Sequence, residues 1–411
     1  MKQTSRSRTC NLAFTMLKSA LAYPLGRLCY RDKHIWLVGE RPNQAQDNGY
    51  HFFRYLKTHH PERRTYYVIT KDSPKYPTLA EIGETVCYGS FRHWMMCFGC
   101  EALISTHLWS LFPTDAWRYK EFLSRHRPKG QKRVFLQHGV ISADIPSLYS
   151  ERTKVDLFIC GAKPEYDYVR EHFHYKNNEV VYTGLARYDA LHDFTVKKQI
   201  LIMPTWRTWL DNLGDELKNS EYFRQWNQVI TDREFLKAAR DAGYRIVVYP
   251  HPHMQRYRNL FAVQDENAVI ADEHAYDIQT LLKESALLIT DFSSVFFDFA
   301  YMRKPMLFFQ FDKERYAAEH YHKGYFDYER DGFGKVAYTA PDLVEDFKEM
   351  LKNGVALSEK YDRRINRFFP LFDQNNCERI YQAIEKLLNS SQAEDTHLTN
   401  LTTSVLFECI I

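Results

Sequence analysis

Leu287-Leu288-Ile289-Thr290-Asp291-Phe292-Ser293-Ser294-Val295-Phe296-Phe297-Asp298 reads as an apolar strand that breaks at Thr290-Asp291 and resumes as a helix. Ser293 or Ser294 is placed to cap that helix, whose first N–H groups and dipole attract an anion. The same strand-then-helix pattern recurs on either side. Ile200 to Met203, Arg245 to Tyr249 and Met306 to Phe309 are further apolar runs, separated by helical stretches such as Phe235 to Ala242 and Ile278 to Glu284. Upstream, Ile35 to Val38, Tyr66 to Ile69, Thr85 to Tyr88, Ala102 to Ile104, Val134 to Gln137, Leu157 to Cys160 and Val180 to Tyr182 repeat it. Short apolar runs alternating with helices specify βαβ units and parallel sheets, so the fold class is α/β. Between the two series lies a short charged passage through His192, Asp193, Lys197 and Lys198. Two doubly wound, Rossmann-like domains facing each other across a cleft are expected, one over residues 34–192 and one over 193–390. A basic leader over 1–33 precedes them and a Ser/Thr-rich tail over 391–411 follows.

The 411 residues, 45% hydrophobic and 26% charged, suffice for two cores. Lys and Arg number 55 against 52 Asp and Glu, a formal charge of +3. That balance disfavours a nucleic-acid binder, which gains affinity by neutralising many phosphates. The eight cysteines have neither the density nor the spacing of a secreted disulfide scaffold, and Cys97-Phe98-Gly99-Cys100, half of a zinc-type motif without a second half, reads as core. No Gly-x-Gly-x-x-Gly or Walker loop supports a dinucleotide oxidoreductase or a P-loop kinase. No apolar run is long enough to span a membrane. The leader carries Lys2, Arg6, Arg8, Lys18, Arg27, Arg31 and Lys33 around a mildly apolar stretch. It reads either as a basic amphipathic segment on an anionic membrane surface or as a helix packed on the fold.

In open parallel sheets ligands bind at the carboxyl ends of strands, so polar residues that follow apolar runs are the candidates. Gln137-His138-Gly139 delivers an imidazole into a loop where a glycine permits close approach, giving His138 the position of a general base or of a structural histidine. Tyr249-Pro250-His251-Pro252-His253 stiffens its loop around His251, and with no acidic or thiol partner nearby an anion suits it better than zinc. Pro204-Thr205-Trp206-Arg207 brings a guanidinium to another strand end, either to hold a phosphate or to cover Trp206. The Thr290 to Asp298 segment offers Thr290, Asp291, Ser293 and Ser294 as substrate-binding residues, with simple helix capping as the alternative.

Taken together, Gln137-His138-Gly139, Thr183-Gly184-Leu185-Ala186-Arg187-Tyr188-Asp189, Pro204-Thr205-Trp206-Arg207, His251-Pro252, Thr290 to Asp298 and Gly324-Tyr325-Phe326-Asp327-Tyr328 resemble the CDP-glycerol glycerophosphotransferase family of teichoic-acid primases and polymerases. Glu40-Arg41 and Ala45 to Tyr50 resemble its upstream portion. The resemblance implies a GT-B architecture, with an acceptor-binding N-terminal domain and a CDP-polyol-binding C-terminal domain. It implies transfer of glycerol phosphate or ribitol phosphate to a hydroxyl of a lipid-linked saccharide or growing teichoic-acid or capsule polymer, with release of CMP. His138 would be the catalytic base, His251 the second functional histidine on the donor side, and Gly139, Arg207, Ser293, Ser294 and Asp298 would line the substrate. The family often has a basic residue just before its His-Pro; here Tyr249-Pro250 leaves that phosphate contact to Arg207, Arg256 or Arg303.

The chemistry so implied needs no metal or cofactor, although a divalent cation could assist diphosphate binding. A lipid-linked acceptor gives the basic leader a purpose, so a cytoplasmic protein, peripheral on the inner leaflet, is expected. Two other readings stand beside this one. A GT-B glycosyltransferase with a nucleotide-sugar donor would use the same phosphate site, and a non-catalytic polymer- or nucleic-acid-binding protein would use the aromatic residues for stacking.

Overall fold

The computed structural model describes residues 5–211, 213–319 and 323–390, and the side chains of residues 5–11 and 215 are also left out. The expected tail over 391–411 and the first four residues of the leader lie outside the described residues.

Seven strands form the first sheet: β1 (Trp36–Gly39), β2 (Thr65–Ile69), β3 (Thr85–Cys87), β4 (Ala102–Ser105), β5 (Lys132–Phe135), β6 (Leu157–Cys160) and β7 (Val180–Tyr182), in the order β3-β2-β1-β4-β5-β6-β7. Six form the second: β8 (Lys197–Met203), β9 (Arg245–Val248), β10 (Ala268–Ile270), β11 (Ser285–Thr290), β12 (Met306–Phe309) and β13 (Gly334–Ala337), in the order β10-β9-β8-β11-β12-β13. Every pairing in both sheets is parallel. Strands so placed are buried on both faces, which is why they read as continuous apolar runs. In the second sheet Ile200, Ile202, Ile246, Val248, Leu287 and Ile289 pack into one core, while Leu201, Val247, Leu288 and Met306 point into the other. The two strands missed by sequence reading, β10 and β13, are the short edge strands, where one side of the ladder faces away from the core and the apolar pattern thins.

The chain crosses between the lobes twice. After β13 and its following helices, a helix over residues 376–390 returns to the first lobe, where Cys377, Ile380, Ile384 and Leu388 join the core of Trp36, Phe52 and Leu56. Asp189 holds its start by accepting from the backbone N–H groups of Asn376 and Cys377 at 2.9 and 2.8 Å. The expected extent of the second domain, 193–390, is corrected accordingly: residues 376–390 pack on the first sheet because their apolar stripe completes the core there.

The leader forms a helix, Ser5–Tyr30, packed on the helix Phe91–Gly99, with Ala22 buried and the rings of Tyr23 and Phe98 5.3 Å apart. Its outer side leaves Phe14, Met16, Leu17, Leu21, Leu25 and Leu28 exposed, Leu28 at 83%. Cys97 and Cys100 lie in the core beneath, and burial pushes the Cys97 thiol up to about 12.

Candidate active site

Each sheet reverses its strand order once, between β1 and β4 in the first lobe and between β8 and β11 in the second. Crevices at the carboxyl ends of strands open at such points. Around the first lie Glu40-Arg41, Thr106-His107 and, after the next strand, His138. Around the second lie Thr205-Trp206 and the Asp291 to Ser294 loop, with His251 after the neighbouring β9. The two sets of loops face one another: a Cβ built on Gly139 would come within 3.2 Å of Ser294 Oγ, and one on Gly324 within 2.4 Å of the Ser142 carbonyl. At Gly324 only glycine allows this approach to backbone across the cleft, while at Gly139 a side chain would press on the Ser294 hydroxyl.

The loop that carries His138 is held from below. β5 ends at Phe135, two residues before the expected end of the strand, because Gln137 adopts a left-handed backbone, φ 60°. That conformation is unfavourable for a residue with a side chain and is found where surrounding bonds enforce it. The Gln137 amide donates to the Ile159 carbonyl and to Glu165, and its own carbonyl accepts from Asn48 Nδ2 at 2.8 Å. Glu165, fully buried and raised to about 7 by burial, also accepts from the N–H groups of Ile141 and Gly161, both at 2.6 Å. The turn thrusts His138 outward: between buried Leu136, Gln137, Gly139 and Val140 it alone is exposed.

The imidazole is oriented by its neighbours. The Thr106 backbone accepts a hydrogen bond from its ring, and the His107 ring stacks on it at 4.9 Å and 12°. Crowding by protein, reinforced by the charges of Arg187 and Arg41, lowers the affinity of His138 for a proton below the ordinary 6.5, against the opposing pull of Asp47. A neutral ring with one nitrogen donating to Thr106 has a lone pair left on the other. Such a group accepts a proton at neutral pH.

Arg187 ties the cleft together. Its Nε and Nη2 meet the two oxygens of Asp298 at 2.6 and 2.8 Å, while Nη1 reaches Asp47 at 2.7 Å and the His138 carbonyl at 3.1 Å. Asp47 caps the helix Asn48–His59, and buried Glu40 holds the approach to that cap through the N–H groups of Asp47 and Tyr50, both at 2.8 Å. The substrate-binding role expected of Asp298 is therefore corrected: both carboxylate oxygens are engaged by a guanidinium from the other lobe.

Arg207 is likewise corrected. Instead of facing a phosphate or covering Trp206, its side chain is completely buried, with Nε and Nη2 on Asp312 at 2.8 and 2.9 Å, Nη2 on Asp291 at 2.8 Å and Nη1 on the Thr205 carbonyl at 2.8 Å. A buried guanidinium needs paired carboxylates, and with no exposed surface it presents nothing to a ligand in the cleft. Asp291 and Thr290 are drawn into the same structural knot: Asp291 accepts from the N–H groups of Thr205 and Phe292, and the Thr290 hydroxyl donates to the Met203 carbonyl. Ser293 and Ser294 do reach the cleft, Ser294 exposed, but neither caps the helix Val295–Tyr301 with its side chain. Arg303 is taken by Asp362 and Asn366, whereas Arg256 is exposed above the Tyr257 ring.

His251 is half-buried at the start of the turn Pro252–Leu260, its Nδ1 accepting from the His253 N–H at 3.2 Å and its ring facing Trp206 at 6.3 Å and 20°. When the ring is neutral, that bond places its proton on Nε2. The structure thus brings His138, Gly139, Ser293, Ser294 and His251 to the facing strand ends and withdraws Arg207, Thr290, Asp291 and Asp298 into ion pairs and backbone bonds. Sequence reading placed Asp47, Asn48 and Arg187 within family motifs without a role of their own, and it missed Thr106 and His107. The last two come immediately after β4, which ends at Ser105, so the strand-end rule applied there would have found them.

Two facing Rossmann-like domains with loops converging from both switch points define the GT-B architecture. Across residues 22–386 the chain matches the CDP-Glycerol:Poly(glycerophosphate) glycerophosphotransferase family, and it belongs to that family. It is 32% identical over 381 residues to the minor teichoic acid biosynthesis protein GgaB of Bacillus subtilis (strain 168), covering 89% of this chain and 41% of that one. With the teichoic acid poly(glycerol phosphate) polymerase of the same strain it shares 29% identity over 403 residues, 92% of this chain and 52% of the relative. The chain thus spans about half the length of these curated relatives. Among solved structures, the wall teichoic acid polymerase TagF superposes with a TM-score of 0.64 at 16% identity, over 95% of this chain and all of the other. The S. aureus MnaA–UDP co-structure superposes with a TM-score of 0.54 at 14% identity, over 86% and 96%. At these identities the likeness is one of fold.

Proposed function

We propose that the chain transfers a polyol phosphate, glycerol phosphate or ribitol phosphate, from a CDP-polyol to a hydroxyl of a lipid-linked saccharide or growing polyol-phosphate polymer. What supports this reading is the exposed His138 ring at the facing lobe ends, beside the Thr106 backbone and with its affinity for a proton lowered below the ordinary value. His138 takes the proton of the attacking hydroxyl as the new oxygen–phosphorus bond forms, and the bond from phosphorus to the CMP oxygen breaks. Phosphoryl transfer is chiefly a matter of positioning and charge stabilisation. His251, donating from Nε2, and the hydroxyls of Ser293 and Ser294 hold the diphosphate from the second lobe, and exposed Arg41 and Arg256 supply the positive charge that buried Arg207 does not. No cofactor is required by this chemistry, and a divalent cation would serve only to assist the diphosphate.

A lipid-linked acceptor also gives the exposed apolar side of Ser5–Tyr30 a purpose. Phe14, Leu17 and Leu21 beside Lys18, Arg27 and Arg31 suit the surface of an anionic leaflet. Among the described residues no helix is long and apolar enough to cross a membrane.

The test is a donor comparison with CDP-glycerol, CDP-ribitol and nucleotide sugars on a lipid-linked acceptor, read by mass spectrometry. His138→Ala is expected to keep CDP-polyol binding and to lose about a hundredfold or more in turnover. A fully active variant, or transfer from nucleotide sugars alone, overturns the assignment.

A further inference from the structure

We propose that His107 is a positioning residue for His138: its ring, parallel to that of His138 at 4.9 Å and 12°, fixes the plane in which the base meets the acceptor hydroxyl. The inference rests on the reading of His138 as the general base and deepens it.

His107 is itself held. The Thr106 hydroxyl lies 2.8 Å from its Nδ1, so the ring cannot rotate without losing that bond. It sits at the end of β4, beside the β5 strand that leads to His138, and the Ser105 and Ser110 hydroxyls both donate to its carbonyl, at 3.0 and 2.9 Å. Two consecutive residues therefore grip one imidazole: the backbone of Thr106 takes a ring proton, and the ring of His107 closes one face. The hydrogen bond restrains rotation about χ2 and the stack restrains the tilt of the ring.

Two other roles for His107 fit less well. As the base it would hold no advantage, since burial, reinforced by Arg41, leaves it near 3, too weak to share a proton at neutral pH. As a metal ligand it would need its lone pair to converge with that of His138, whereas parallel stacked rings direct theirs side by side. Among the described residues no cluster of three His, Cys, Asp or Glu side chains could complete such a site.

The face covered by His107 is one that water would otherwise wet. Around the pair stand Asp47 from the helix start, Arg187 from the loop after β7, and Arg41 from the loop after β1. With those charges unchanged, opening the face rehydrates the imidazolium and raises the proton affinity of His138. Because the neutral ring is the active form, the acid limb of the rate profile then moves to higher pH. A phenyl ring retains the cover and the stack, so it restores both.

The experiment compares His107→Ala and His107→Phe with the parent enzyme by two measurements. One is the pH profile of kcat/KM with CDP-glycerol; the other is the ring titration of His138 by NMR in histidine-labelled protein, assigned by the signal lost in His138→Gln. Expected for His107→Ala are a fall of about tenfold or more in kcat and an upward move of both the limb and the titration. His107→Phe should return both toward the parent. An unmoved His138 titration in a folded His107→Ala protein overturns the proposal, as does a Phe variant no better than Ala. Should the titration move while the rate profile does not, the stacking role stands and the general-base reading falls.

Discussion

Arg187 and Asp298 form a two-bond fork, 2.6 and 2.8 Å, that joins the lobe carrying His138 to the lobe carrying Ser293 and Ser294. The same guanidinium holds the His138 carbonyl. The placement of His138 is thereby linked to the closeness of the lobes. Lysine cannot meet Asp298, Asp47 and the carbonyl at once. Arg187→Lys should lower kcat roughly a hundredfold. Asp298→Asn should do so less, and the double variant should fall short of the product of the two, as coupled sites do. Steady-state kinetics on all four proteins check this; strictly multiplicative losses would show the fork to be incidental.

The proton affinity of His138, lowered by the protein crowded around its ring and by Arg187 and Arg41, predicts a rate that persists where an ordinary histidine would be half protonated. Turnover is lost only as pH falls through that lowered value. Arg41→Ala removes a repelling charge and should move the acid limb up; Asp47→Asn removes an attracting one and should move it down, while asparagine still caps the helix. Movements of kcat/KM against pH in the opposite directions would contradict the assignment.

The Arg207–Asp312–Asp291 knot belongs to stability. Removing one partner leaves a buried charge uncompensated, at a cost of about 3–5 kcal/mol. Asp312→Asn should shift the urea midpoint accordingly, and a variant of wild-type stability would return Arg207 to the list of substrate contacts.

At Gly324 any side chain would collide with Ser142 and Ala143 of the facing lobe, at 2.4 and 2.6 Å. Gly324→Val is therefore expected to push the lobes apart, sharply lowering kcat while each lobe keeps its fold. Small-angle scattering and activity together test it: an unchanged radius of gyration with full turnover would rule the close contact unimportant.

For the leader, Leu17→Glu with Leu28→Glu on the exposed side should release the protein from vesicles containing phosphatidylglycerol without altering its melting temperature. Deleting residues up to Arg31 should instead destabilise the first lobe, because Ala22 and the Phe91–Gly99 helix lose their cover. Cosedimentation with vesicles separates the two outcomes.

Buried parallel strands announce themselves, because both faces must be apolar, and so eleven of the thirteen strands were legible as apolar runs. β10 and β13 were not, because β10 is only half-buried throughout and β13 is a short Gly334-Lys335-Val336-Ala337 stretch interrupted by exposed Lys335. His138 and His251 were legible for a related reason, since each stands three residues past the end of a buried strand. What a motif does not reveal is the partner of each charge. Arg207 and Asp298 look like ligands for phosphate until Asp312 and Arg187 are found 105 and 111 residues away in sequence.

By itself the order of residues determined the parallel α/β lobes, their strand ends as the place of chemistry, and the motifs of the family. Tertiary structure alone decided which polar groups at those ends remain open, which are neutralised, and to which lobe residues 376–390 return. The physical reason is range: burial of an apolar strand is a property of a few neighbouring residues, whereas the pairing of a charge depends on whatever the fold brings beside it.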